Sequence, residues 1–259
     1  MKKIMMLCVC CYISCLANAQ KLRAVYEYIP SGMATFKEHV YFENGVKTAV
    51  LDSIWTSTDL EKEVENEEEE IPNSSSFQLN TGTKYRQIVI QKENDNLIKE
   101  TRSIKGKNYL VEDQFPELVW NTDYPDVDTL ARHVCHKATA KYRGTTLVAY
   151  YTEEIPVPVG PSKFGGLPGL IVMLYNESAN PNYWYLKEVV FPYQGTVPVN
   201  ENYIFKLPKL SLQEFVEKED KMIDEQMRII ASKIPVIEGM TSESKKVRGG
   251  VEQVYEWEK

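Results

Sequence analysis

The sequence has 259 residues, of which 43% are hydrophobic and 26% are charged, and its formal net charge is −7. This acidic balance argues against nucleic acids and anionic membrane surfaces as binding partners. The length is sufficient for one sizeable hydrophobic core.

The first 19 residues are typical of a secretory signal peptide. Two lysines are followed by a short apolar segment over residues 4–13 and by a small-x-small cleavage site at residues 17–19. The apolar segment is too short to span a bilayer, and no other run in the sequence is long enough. We therefore expect cleavage near Ala19 and export to the periplasm or the cell surface. Lipoprotein processing at Cys15 is the alternative, although the residues before Cys15 match a lipobox poorly.

Cleavage would leave Cys135 as the only cysteine, because the other four lie within the first 19 residues. An intramolecular disulfide would then be impossible, even in an oxidising compartment. Removal of the two N-terminal lysines would also change the net charge from −7 to −9.

Strand patterns dominate the next part of the chain. Short segments rich in β-branched and aromatic residues alternate with turns that contain Gly, Pro or Asn. These segments are residues 22–28, 37–42, 48–55, 85–91, 97–104, 108–112, 132–142, 145–152, 170–175 and 184–190. The Asn44-Gly45 pair is a strong hairpin signal, and residues 105–107 form a second short turn. Because no helical crossover separates the segments, we predict a single mainly β domain over residues 20–238, with a strongly curved antiparallel sheet.

An acidic run at residues 61–70 interrupts the strand patterns and continues into a polar segment that ends at residue 76. A carboxylate cluster could bind calcium, but no alternating Asp/Asn/Gly loop is present to shape such a site. The favoured interpretation of residues 61–76 is a solvated acidic loop.

An amphipathic helix is predicted over residues 211–233. Ser211 and Glu214 form a capping box at its start, and Pro235 follows its end. Apolar residues recur at helical spacing along one face. They are Leu212, Phe215, Val216, Met222, Ile223, Met227 and Ile230. We expect this face to pack on the sheet or across its opening, and a movable lid is the alternative.

Residues 239–259 form a polar, charged tail. Four hydrophobic residues near its end could form a closing strand of the sheet. They are Val251, Val254, Tyr255 and Trp257.

The most informative segment runs from Phe164 to Tyr175. Its glycines permit unusual backbone angles, Pro168-Gly169 is a favoured centre for a type II turn, and an apolar run at residues 170–174 is typical of a strand covered on both faces. Residues 166–171 read Gly-Leu-Pro-Gly-Leu-Ile.

This motif resembles the hallmark of the GLPGLI family of exported cell-envelope proteins, whose biochemical role is not established. Further matching positions lie upstream in the order that the family shows. They are Trp120, Cys135, Lys137-Ala138, residues 149–152, residues 154–156 and Gly160-Pro161. The order of the predicted strands also resembles the half-barrel carriers of the cell envelope that shuttle lipoproteins or other lipids.

The cluster around Cys135 is the only group of soft metal-ligand types. On a strand, His133 and Cys135 would share one face and could begin a copper or zinc site, while His136 would point to the other face. Two ligands do not make a metal site, and a buried small cysteine is the default interpretation. A nucleophilic cysteine would need a base in reach, and the spacing indicates none. No catalytic motif is present, so the sequence predicts neither an enzyme nor a cofactor.

The family-like loop has a structural and a functional interpretation. Residues 156–169 form either a turn that defines the fold, which is the favoured interpretation, or a mouth that exposes Tyr150, Tyr151, Phe164 and Leu167 to a ligand. The preferred functional hypothesis is a non-enzymatic carrier for an apolar or peptide-like ligand. The alternative is an interaction protein that docks on an envelope partner through this loop, and a thiol-based enzyme or a metal-binding protein is a distant third.

Overall fold

The structure is a computed structural model that describes residues 21–31, 34–52, 87–93, 95–233 and 248–258. The predicted signal peptide and the predicted acidic loop at residues 61–76 lie outside these ranges.

The described residues form twelve β-strands and two α-helices. In chain order they are β1 (Leu22–Ile29), β2 (Phe36–Glu43), β3 (Val46–Leu51), β4 (Gln87–Lys92), β5 (Leu97–Ile104), β6 (Lys107–Gln114), β7 (Val127–Leu130), β8 (His133–Tyr142), β9 (Thr145–Thr152), β10 (Leu170–Glu177), β11 (Tyr183–Val190), α1 (Glu201–Ile204), β12 (Lys209–Ser211) and α2 (Leu212–Lys233).

The predicted mainly β class with a C-terminal helix is confirmed. The Asn44-Gly45 hairpin joins β2 to β3, with φ angles of 52° and 71° that suit a tight hairpin turn. Two strands and one helix were missed because they are too short to show a periodic pattern. These are β7, α1 and β12.

All twelve strands belong to one open sheet, in the order β12-β6-β5-β4-β3-β2-β1-β11-β10-β9-β8-β7. Every neighbouring pair is antiparallel except β12 and β6, which run parallel. The sheet is therefore mixed, and the predicted antiparallel pairing is confirmed for every pair except this one. The difference arises because the connection from β11 to β12, residues 191–208, is long enough for the chain to return in the parallel sense.

The sheet is strongly curved, as predicted. Strand β9 is the eighth strand along from β6, so a flat sheet would separate the two by about 38 Å. Yet Arg143, in the turn between β8 and β9, lies with its Nη2 atom 2.6 Å from Oδ1 of Asp113 on β6. The sheet therefore bends until these two distant strands face each other across its concave side.

The concave face carries the main hydrophobic core. Its buried side chains come from β1–β5, from β8–β11 and from the segment between β9 and β10, including Tyr26, Ile98, Leu147 and Phe164. A smaller cluster lies on the opposite face, where residues 199–207 cover Ile90 and Leu110.

Helix α2 begins with the predicted capping box, in which Glu214 Oε2 accepts from Ser211 N over 2.8 Å and Ser211 Oγ accepts from Glu214 N over 3.2 Å. Leu212, Phe215 and Val216 then pack against β6 on the concave side.

The later apolar positions of α2 do not pack on the sheet, contrary to the prediction. Ile223, Met227 and Ile230 are each more than two-fifths exposed. Neither helix within the described ranges is both long and apolar enough to cross a membrane.

The described part of the tail, residues 248–258, contains turns and a 3-10 helix over Glu256–Glu258 instead of the predicted closing strand. Its side chains still close the concave side, because Tyr255 is buried beside Phe215 of α2. Backbone hydrogen bonds from Gln253 and Val254 to the carbonyl oxygen of Arg143 hold the tail against the β8–β9 turn. These turn-like contacts satisfy the backbone without a strand ladder.

Candidate functional site

The family motif has a clear structural cause. Gly166 has a φ of +84°, a conformation that favours glycine. A Cβ atom on Gly169 would lie 1.9 Å from the carbonyl oxygen of Thr152, so only glycine fits against β9. The predicted type II turn centred on Pro168-Gly169 is wrong, because such a turn needs a positive φ at Gly169 and the positive φ falls at Gly166.

The side chains predicted to face a ligand lie mostly in the core. Phe164 and Leu167 are buried, and Phe164 contacts the rings of Tyr142 and Trp184. Tyr151 points to the same concave side and is also buried. Tyr150 is the next residue along β9 and therefore points to the outer face, where it is partly exposed. The expected exposure to a ligand is thus not found for three of the four residues.

Three side chains from elsewhere in the fold form hydrogen bonds with the backbone of this loop. Lys47 Nζ on β3 donates to the carbonyl oxygen of Phe164 over 2.7 Å. Trp120 Nε1 donates to the carbonyl oxygen of Gly165 over 3.0 Å. Glu38 Oε2 on β2 accepts from the Ser162 amide, also over 3.0 Å. The loop is held on the concave side from several directions, which supports the structural interpretation of the motif.

Lys163, also in the loop, lies at the centre of a buried group of charges. Its Nζ atom is 3.2 Å from Glu100 Oε1 on β5, 3.1 Å from Glu252 Oε1 in the tail and 3.7 Å from Asp113 Oδ2 on β6. Arg143 binds Asp113 through two hydrogen bonds and also contacts Glu252. We call these five residues the charge cluster.

Opposite charges within and beside the charge cluster offset the effect of burial on Lys163 and Glu252. Burial alone would lower the pKa of Lys163, but Glu100 and Glu252 raise it above its ordinary value. Burial alone would raise the pKa of Glu252, but Lys163, Arg102 and Arg143 hold it well below its ordinary range. A buried ion network of this kind costs desolvation free energy and tolerates no missing partner.

Lys47 and Glu38 form a second pair of buried charged side chains, on neighbouring strands. Burial lowers the pKa of Lys47 to about 7, with Glu38 opposing the shift and Lys163 adding to it. Burial raises the pKa of Glu38 to about 7, and the Ser162 amide and Lys47 oppose that shift. The pKa values of both side chains therefore lie close to neutral pH.

An open cavity of about 420 Å³ lies beside the loop. Pro158, Val159, Gly165 and Gly166 form one wall, and the β4–β5 turn and residues 115–118 form the others. Lys47 and Lys163 line its inner part. Three exposed acidic residues stand at its rim. They are Glu93, Asp95 and Glu117.

The weaker sequence candidates occupy a separate region. Cys135 is buried on β8, and burial raises the pKa of its thiol to about 11. Its Sγ atom lies 3.4 Å from the carbonyl oxygen of His133, and the His133 Nδ1 atom lies 2.7 Å from Glu154 Oε2. Among the described residues, no group of three or more His, Cys, Asp or Glu side chains is arranged to hold a metal ion. A reactive cysteine needs a lowered pKa, so this geometry does not activate Cys135.

Sequence reasoning missed the cavity and the buried charges that line it. A usable signal was present on β2, where Glu38 stands in an alternating row with Phe36, Val40 and Phe42. A charge at an inward position of such a row is buried and must find compensation. Glu100, two residues after the inward Ile98 of β5, carries the same signal. The partners of these charges are distant in sequence, so no local sequence pattern identifies them.

The fold and the loop geometry define a mainly β protein with a filled concave face and a polar cavity beside the motif. A family model described as "Protein of unknown function (Porph_ging)" matches residues 49–173. The match to this GLPGLI-type family of Bacteroidetes proteins confirms the resemblance predicted from the motif. No curated protein matches the chain.

The solved structures that are similar to the chain include three described here. Two crystal forms of PNGF-II, P21 and C2, match with TM-scores of 0.49 and 0.47 at 10% and 12% identity, covering 77% and 88% of the chain. The chain spans only 33% and 37% of those PNGF-II chains. An uncharacterized conserved protein from Thermus thermophilus matches with a TM-score of 0.38 at 7% identity, covering 74% of the chain and 90% of its own. Similarity at this level does not indicate a function.

Proposed function

We propose that this protein is an exported, non-enzymatic binding protein that holds a small peptide-like ligand in the cavity beside the GLPGLI loop. The observation that carries the proposal is the cavity itself. Its volume of about 420 Å³ lies in the range usual for small-ligand sites. One of its walls is the loop that defines the family, and loops on a rigid scaffold are common binding elements.

The composition of the cavity favours a peptide-like ligand over an apolar one. Phe42, Phe115 and Leu118 provide apolar surface, and lysine and acidic side chains add charges of both signs. The concave face, where an apolar ligand of a half-barrel carrier would lie, is instead filled by the protein's own side chains, such as Phe164 and Leu167. A ligand with both apolar and polar parts suits the space that remains.

Two further observations support the exported and non-enzymatic parts of the proposal. Residues 1–19 have the pattern of a secretory signal peptide. The buried Cys135 thiol, with its raised pKa, lacks the activation that a nucleophilic cysteine needs.

Native mass spectrometry of the protein purified from the envelope fraction of its own host tests the proposal. We expect a polypeptide that begins at Gln20 and carries extra mass that is lost on denaturation. A polypeptide that retains residues 1–19 in the cytoplasm would contradict export, and a bare polypeptide mass would contradict the binding role.

A cavity-filling variant tests whether the ligand binds in the cavity. Gln91 pairs with Lys47 across β3 and β4 and lines the cavity, so Gln91→Trp should occupy the space and remove the extra mass. Gln213→Trp adds the same ring at an exposed position of α2 and should retain the extra mass. Equal ligand content in the two variants would show that the ligand lies elsewhere.

A second candidate function is docking on an envelope partner through the sheet edge instead of the loop. Strand β7 is the last strand of the sheet, and Val127, Asp128 and Thr129 on it are exposed. An exposed edge can accept an extended segment of a partner as an added strand. A photo-crosslinking residue at Thr129 should then capture a partner that the same residue at the exposed Glu217 of α2 does not.

A further inference from the structure

The cavity separates positive and negative charge. The two lysines on its inner wall are only 5% and 4% exposed, whereas Glu93, Asp95 and Glu117 at the rim are exposed. The exposed Lys92 also lines the cavity, so three carboxylates outnumber one ammonium group among its exposed charges. A ligand that enters the cavity therefore meets a net negative rim before the two buried ammonium groups.

The two lysines differ in how their charges are compensated. Lys163 lies within 3.2 Å of both Glu100 and Glu252, so its ammonium is paired. Lys47 makes one hydrogen bond, to the neutral carbonyl oxygen of Phe164, and within the described ranges no ion pair joins it to a carboxylate. The carboxylate of Glu38 accepts from the Ser162 amide instead.

A buried ammonium without a counter-ion is costly, and a bound anion would remove that cost. Burial and the neighbouring Lys163 lower the pKa of Lys47 to about 7, and the nearby Glu38 only partly opposes this shift. A ligand carboxylate beside Lys47 would accept a charge-assisted hydrogen bond and restore the ordinary protonation of the amine.

We infer that the cavity takes a short peptide with a free C-terminal carboxylate, which Lys47 binds at the inner wall while the peptide's amino group lies at the acidic rim. This inference rests on the proposed binding function and names its ligand class. The rim disfavours a ligand with several negative charges, because Glu93, Asp95 and Glu117 would repel it. A zwitterion matches both ends of the cavity.

The test uses a pool of tripeptides of mixed sequence in three forms: unmodified, amidated at the C-terminus and acetylated at the N-terminus. Binding of each pool to the mature protein is measured by calorimetry at pH 6.5. We expect amidation to weaken binding by about tenfold or more, because a charge-assisted hydrogen bond at a buried site is lost. Acetylation should weaken it by less than about tenfold, since the rim is exposed and solvent screens its charges.

Three lysine variants assign the effect to Lys47. Lys47→Gln keeps a donor for the Phe164 carbonyl oxygen but removes the charge, and it should bind the unmodified and amidated pools equally. Lys92→Gln removes an exposed charge from the same cavity and should still discriminate between them. Lys47→Arg keeps the charge and should restore discrimination in part.

The outcomes separate the inference from the proposed function. Equal binding of the unmodified and amidated pools by the wild-type protein would overturn the inference while the binding function stands. No binding of any pool would contradict both. Tighter binding of the acetylated pool would overturn the role of the rim, and discrimination that persists in Lys47→Gln would overturn the role of Lys47. The wild-type comparison needs no variant, so it decides the inference even where Lys47→Gln does not fold.

Discussion

Tyr26 on β1 donates its hydroxyl proton to the carbonyl oxygen of Ile171 on β10 over 2.6 Å. The two strands are not neighbours, because β11 lies between them. The acceptor stands where the β9–β10 register shifts, at the end of the family motif. A buried tyrosine thus supplies a hydrogen bond on the concave side of an irregular strand.

Tyr26→Phe should destabilise the protein by about 1–3 kcal/mol, because it removes a buried donor and leaves the carbonyl group of Ile171 to be desolvated without it. Urea unfolding measures the change. Tyr185→Phe, which removes a hydroxyl from a partly exposed side chain on β11, is the matched control and should change stability by less than about 0.5 kcal/mol. Equal effects of the two variants would show that the Tyr26 hydroxyl contributes nothing.

Gly169→Ala should destabilise the protein by about 3 kcal/mol or more, because the added methyl group would lie 1.9 Å from the carbonyl oxygen of Thr152 and neither backbone can move freely. Gly249→Ala has nothing within 4 Å of its added methyl group and should be close to neutral. Thermal unfolding of both variants checks the prediction. A Gly169→Ala protein of ordinary stability would mean that the motif glycine serves something other than packing.

Arg143→Ala should cost about 3–5 kcal/mol, because it removes both hydrogen bonds of the Arg143 guanidinium to the buried Asp113 and leaves only Lys163 at 3.7 Å. The exposed ion pair of Arg23 with Glu188 is the comparison, and Arg23→Ala should cost about 0–1 kcal/mol. Both values come from urea unfolding at pH 7. Similar costs at the two sites would contradict a special role for the charge cluster.

The stability of the protein should depend on pH through Glu38. Burial raises the pKa of its carboxyl from 4.5 to about 7, so the folded protein holds a proton there that the unfolded chain has released. The stability from this group is fully present below pH 4.5 and is lost as the pH rises through 7, by up to roughly 3 kcal/mol.

Unfolding of the wild type and of Glu38→Gln between pH 4.5 and 8 measures this dependence. The stability of the wild type relative to the variant should fall over that interval. Glu217→Gln, at an exposed position of α2, controls for loss of a carboxyl group alone. If the free energies of unfolding of the wild type and Glu38→Gln changed equally with pH over this interval, Glu38 would not be the group responsible.

Local features of the fold were predictable because they depend on neighbouring residues. The Asn44-Gly45 turn and the Ser211–Glu214 capping box each follow from residues no more than three positions apart. The buried charges were not predictable in the same way, because Lys163 meets Glu252 only after the sheet curves. Alternation on β2 indicates that Glu38 is inward, but no sequence pattern reveals which distant group compensates it.

In the GLPGLI loop too, some features were predictable from neighbouring residues and others depend on distant contacts. Its glycines predicted a sharp reversal, and that reversal is present. Gly166 takes the positive φ, whereas Gly169 is needed because β9 packs closely against it. The position of β9 sets this difference, and the sequence of the loop does not reveal it. The exposure expected for Phe164 and Leu167 failed because both side chains point into the concave side, a direction that turn chemistry alone does not set.

The central strand β1 has a consequence for the order in which the chain can fold. It pairs with β2, which follows at once, and with β11, where Arg23 meets Val190. A chain that emerges from its N-terminal end therefore carries β1 with one side unpaired until β11 also emerges. Contacts between residues so far apart form slowly, and an unpaired strand invites misassociation. Between the emergence of β1 and that of β11, the unpaired edge of β1 is open to misassociation. Folding is therefore favoured when the chain stays unfolded, with this edge covered by another protein, until β11 has emerged.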